Sequence, residues 1–105
     1  MKLYKVETFV PPEALEPVKK ALEQLGVGRI GNYDCCLSWY KVNSSWRPLQ
    51  GANPYLGEVG KLEIATEYKI EFRCSKKDLK KVVQAIRDNH PFEEIGINVI
   101  ELHVV

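Results

Sequence analysis

Residues 62–74, LEIATEYKIEFRC, leave this chain little freedom. Ile64, Thr66, Tyr68, Ile70, Phe72 and Cys74 fall on one side of a period of two, and Glu63, Glu67, Lys69, Glu71 and Arg73 on the other. Successive side chains of a strand point to opposite faces, so the pattern predicts a long strand with one buried and one polar face. A sheet buried on one face needs a layer to cover it, and the flanking segments supply helices.

Residues 3–10 alternate in the same way, with Tyr4, Val6 and Val10 opposite Lys5 and Glu7. Pro11-Pro12 then suits a helix start, since proline at the first helical position lacks only an N–H that has no partner there. Val18, Ala21, Leu22 and Leu25 follow at helical spacing until Gly26. Pro17 predicts a kink or a loose opening turn. Residues 33–42 alternate again. After the long strand, Ser75 with Asp78 in the capping-box position predicts a second helix, with Leu79, Val82, Val83 and Ile86 as its apolar stripe and Pro91 as its stop. A last strand is expected from about Ile95 to Val104. The order strand, helix, strand, strand, helix, strand predicts an α+β, ferredoxin-like βαββαβ sandwich, an antiparallel sheet with two helices on one face.

At 105 residues the chain is expected to be one domain, 1–105, able to fold without disulfides or metal. A net charge of +1 with interspersed signs offers no footprint for nucleic acid or an anionic membrane. No apolar run approaches a membrane span, and Met1-Lys2-Leu3-Tyr4-Lys5 leads straight into a strand pattern rather than a signal-peptide core. Three cysteines, two of them adjacent, fit a reducing compartment, so a cytoplasmic location is expected.

Three features invite a chemical reading. Cys35-Cys36 falls in the segment read as the second strand, where adjacent thiols diverge and do not easily share a metal; Cys74 reads as a buried strand end. The connection 44–61, SSWRPLQGANPYLGEVGK, is long for a compact domain, and Trp46, Pro48, Pro54 and Tyr55 predict that it is packed and ordered. Its GEVGK ending lacks phosphate-loop spacing and precedes a strand. Arg47 is its one group able to grip a carboxylate or phosphate bidentately, the plainer role being a structural salt bridge. In NHPFEE, residues 89–94, His90 is placed to bond free carbonyls at a helix end, while Pro91 sends Glu93 and Glu94 into the following turn. That is not the i, i+4 geometry of a metal-binding helix face, so no tight zinc is expected. No nucleophile, base and carboxylate stand at credible spacing, with His103 isolated, and no enzymatic activity is expected.

The segments GRIGNY (28–33), WRPL (46–49) and GANP (51–54), then Gly57, Gly60, Glu63, Glu67 and HPFEE (90–94), together resemble the inserted domain of the Nif-three-like (YqfO) family. The likeness runs in order along nearly the whole chain. That domain is similar to CutA and the PII signalling proteins, whose ferredoxin-like subunits form trimers. The resemblance therefore implies a homotrimer and a regulatory or small-ligand-binding module without a cofactor. Arg47, Asn53, Glu63, His90, Glu93 and Glu94 are the candidate ligand-binding residues. The alternative it implies is a CutA-like protein that handles divalent metal or copper ions through His90, Glu93 or the thiols, with His90 and Glu93 as weak candidate ligands. Full-length family members carry two metal ions in a larger domain, and none of that chemistry transfers to these residues. Cys35 stands where many relatives have histidine, and Phe92 where tyrosine is frequent.

Overall fold

The computed structural model describes residues 2–105; Met1 lies outside them. Strands β1 (Leu3–Val10), β2 (Leu37–Trp46), β3 (Glu63–Ser75) and β4 (Ile97–Glu101) form one antiparallel sheet in the order β2-β3-β1-β4. Helices α1 (Leu15–Leu25) and α2 (Leu79–Asp88) are the two crossovers. This is the expected ferredoxin-like βαββαβ sandwich.

The core lies between the sheet and the helices. Cross-strand partners share a face, and the register Val6↔Phe72, Thr8↔Ile70 and Tyr4↔Cys74 aligns the apolar sides of β1 and β3. Val18 and Leu22 of α1 and Val82 and Ile86 of α2 close over them, all four fully buried. Leu79 packs against this core from its edge, whereas Leu25, expected in the stripe, is largely exposed just before the helix ends. Gly26 terminates α1 in the left-handed conformation (φ 65°).

Both helices open more loosely than their sequence suggests. Short 3₁₀ turns, Pro12–Ala14 and Lys76–Asp78, precede them. Pro17 thus falls in the first turn of α1, where its missing N–H has no intrahelical role, and the loose-opening alternative is the one realised. Ser75 makes no capping bond to the backbone. Its hydroxyl donates instead to the Asp78 carboxylate at 3.0 Å.

The cysteine segment departs from expectation. β2 begins at Leu37, not residue 33, and Cys35 is the only non-glycine residue described with positive φ, at 56°. The reason lies in Gly28: its N–H donates to the Arg73 carbonyl, and a side-chain carbon there would stand 2.7 Å from the Cys36 carbonyl oxygen. Backbone of residues 27–28 therefore runs directly against 35–36, through bonds from Cys35 N to Val27 O and Cys36 N to Gly28 O. The thiols do diverge, Cys35 toward the Glu23 carbonyl (3.5 Å) and Cys36 toward that of Asp34 (3.7 Å), but by a turn rather than by strand alternation.

The sheet is uneven in length. β1 ends opposite Tyr68, yet β2 and β3 continue as a two-stranded ribbon to the pair Trp46↔Glu63. Ile64 and Thr66, expected on the buried face, are exposed because the ribbon has outrun the layer that would cover them.

Candidate functional site

Past the end of β1, the ribbon, the long loop after β2 and the turn before β4 enclose a cleft of about 700 Å³. The loop is ordered, as its aromatic and proline content predicts. The Trp46 indole N–H donates to the Leu56 carbonyl at 3.1 Å, and Gly60 N–H to the Pro48 carbonyl at 2.8 Å. Gly57, at φ 109°, brings the returning chain within ordinary contact of Trp46, Pro48 and Glu63. Phe92 of the turn is the common centre of an aromatic cluster, with ring centroids 5.8 Å from Trp46, 5.7 Å from Tyr55 and 4.8 Å from His90. One polar strut joins the two segments: the Asn53 backbone N–H donates to Glu93 Oε2 at 2.8 Å.

His90 has a different part from the one its sequence position suggests. Its Nδ1 accepts from the Phe92 N–H at 3.1 Å, which leaves the ring proton on Nε2 to donate to the Phe9 carbonyl at 2.7 Å. The imidazole thus ties the turn to the end of β1 rather than bonding α2's last carbonyls; Asn89 does that, through its side-chain amide to Ala85. Burial of the ring holds its pKa below the ordinary value, outweighing the opposing bond to Phe9 and the pull of the Glu67 charge. With both nitrogens engaged inside the fold, no lone pair faces the cleft.

The other sequence candidates divide. Arg47, Glu93 and Glu94 line the cleft. Asn53 contributes its backbone N–H, and Glu63 sits at the ribbon's end beside Gly57, outside the lining. Arg47 makes no ion pair among the described residues, so the structural salt bridge considered for it is not formed. Its guanidinium is exposed at the cleft.

Glu67 is the residue that reading by residue type overlooked. It is only 6% exposed, lines the cleft, and its carboxylate has neither a hydrogen bond nor an ion pair among the described residues. In the period-two pattern it is merely one more acid on the polar face. Its burial comes from the loop and turn folding over that face, which strand periodicity does not encode.

Among the described residues no group of three histidine, cysteine or carboxylate side chains converges as a metal site. Burial also raises the pKa of the Cys35 thiol, and that of Cys74 to about 11, so both are held as poorly reactive thiols.

No family model matches the sequence. A GTP cyclohydrolase 1 type 2 homolog of Staphylococcus epidermidis is 34% identical over 100 residues, covering 95% of this chain and 27% of that protein. The crystal structure of a Bacillus cereus protein related to NIF3 superposes with a TM-score of 0.86 at 33% identity, over 98% of this chain and 26% of that one. The divalent cation tolerance protein CutA of Archaeoglobus fulgidus, at 16% identity, shares the fold over 98% of this chain and 86% of its own, with a TM-score of 0.74. The chain spans about a quarter of the length of the curated relatives it matches. Over nearly its whole length the chain is thus homologous to one segment of these NIF3-related proteins, and it shares the fold of CutA.

Proposed function

We propose that this chain is a non-enzymatic binding or regulatory module that holds a small molecule in the cleft between the long loop and the HPFEE turn. The observation that carries the reading is the buried, unpartnered carboxylate of Glu67 inside a preformed, largely apolar cleft. A carboxylate on a largely buried residue that has no partner among the described residues and opens only onto an apolar cleft is placed to meet what the cleft binds. Arg47, Glu93 and Glu94 stand at the same cleft as further contacts. The engagement of both His90 nitrogens inside the fold and the raised pKa of the Cys35 thiol support binding over catalysis. The cyclohydrolase name of the relatives belongs to proteins of which this chain covers about a quarter.

The module works as an oligomer, a homotrimer by its likeness to CutA. β2 and β4 are unpaired edges, and Trp39, Tyr40, Val99 and Ile100 on these strands are exposed. No helix among the described residues is long and apolar enough to cross a membrane, and the three free thiols suit the cytoplasm.

Native mass spectrometry of the purified chain tests both parts. The expected result is a trimer with a small-molecule adduct that leaves on denaturation and is missing from Phe92→Ala. A bare chain, with no compound in a metabolite library raising its melting temperature, would overturn the binding reading; a monomer by light scattering at tens of micromolar would overturn the trimer.

A further inference from the structure

We infer that the cleft takes an organic cation: an ammonium or amidinium group carried on a flat apolar body, with the cation at Glu67 and the body against Trp46, Tyr55 and Phe92. The inference rests on the small-ligand reading above and names the chemical class that fits it.

Charge balance is the first ground. The lining holds three carboxylates, Glu67, Glu93 and Glu94, against the single guanidinium of Arg47. The second is where those charges sit. Arg47 is exposed, whereas Glu67 is only 6% exposed and, without a hydrogen bond or ion pair among the described residues, its carboxylate meets solvent only through the cleft. The strongest demand in the cleft is therefore for positive charge at Glu67. An anion drawn to Arg47 would meet this buried carboxylate. The third ground is the wall: three clustered aromatic side chains, Trp46, Tyr55 and Phe92, line it, and aromatic rings favour a cation and a planar apolar body together. A metal ion fits less well. It needs several ligands converging on one point, whereas these carboxylates are spread around a cleft of about 700 Å³ and one oxygen of Glu93 is already taken by Asn53.

Three probes with one ring and different charge decide the matter: benzylammonium, benzyl alcohol and benzoate, titrated at constant ionic strength into the isotope-labelled chain and followed by the Trp46 indole signal and the backbone amides. Benzylammonium is expected to shift Trp46, Glu67 and Glu93 and to saturate at about tenfold lower concentration than benzoate. Glu67→Gln should abolish that preference, while Arg47→Gln should keep or sharpen it. Should Glu67→Gln fail to give a dispersed folded spectrum, the order of the three probes on the natural sequence decides alone. Benzoate or the alcohol binding as well as benzylammonium overturns the cation class and leaves the cleft standing as a ligand site. No perturbation of the cleft by any probe overturns both.

Discussion

Glu67 and Glu71 lie on one face of β3, four residues apart, and their surroundings are opposite. Glu71 belongs to a closed network on the open face: Lys69 reaches it at 3.1 Å and Lys5 at 3.2 Å, both lysines also contact Glu7 (3.4 and 3.1 Å), and the Tyr40 hydroxyl donates to it at 3.0 Å. Its neighbours hold the Glu71 and Glu7 carboxyls below the ordinary glutamate range, against the cost of burial, while Lys5 and Lys69 are raised. Glu67 is more deeply buried and has none of this. Two acids against two lysines form a self-sufficient structural unit. The lone carboxylate past the end of β1 is an incomplete one, and incompleteness on a rigid scaffold is what distinguishes a binding site from a stabilising contact.

The largest effect is expected where the cleft itself is dismantled. Phe92→Ala removes the ring that holds Trp46, Tyr55 and His90 together and should destabilise the chain by about 2 kcal/mol, below the full value for a core aromatic because Phe92 is only half-buried. Hydrogen exchange should quicken in the long loop and the turn while the amides of α1, α2 and β1 keep their protection. Uniform loss of protection would show that the cleft and the core are one unit.

Isosteric neutralisation separates the two acids by sign. Glu71→Gln should lower the melting temperature by on the order of 5 °C, since two lysines lose a shared partner. Glu67→Gln should leave it unchanged or raise it, because a carboxylate without a partner on a largely buried residue is made neutral and no ion pair is lost. A drop for both would mean that Glu67 is paired within the assembly, and the contrast would fall.

A smaller effect comes from pH. His90 has a pKa lowered from about 6.5, so at mildly acidic pH the unfolded chain takes up the proton before the folded one does. Its contribution is complete above pH 6.5 and declines as pH falls below that value toward the folded pKa. The Glu7–Glu71 network acts in a lower window, its contribution being present above the ordinary glutamate pKa of about 4.5 and lost on acidification below it. Melting curves should therefore show two separate declines, and His90→Gln should flatten only the first. A single decline below pH 4.5 in both proteins would show that His90 does not titrate with folding.

The alternation of residues 62–74 and the apolar spacing of the helices determined the element order, the buried face and the fold, because those signals depend only on which side chains share a face. The aromatic and proline content of the long loop separately indicated that the segment around Trp46 and Tyr55 is packed. The periodic signals misread the start of β2, since the path of Cys35 is dictated by backbone contact with residues 27–28, which no side-chain pattern records. They placed Ile64 in the core and Glu67 at the surface because periodicity tells a strand's two faces apart but not where its neighbours stop. The tertiary structure decided this. β1 ends at Val10, the ribbon continues beyond it, and the turn held by His90 folds over Glu67, so that an ordinary acid of a polar face becomes a buried charge in a cleft.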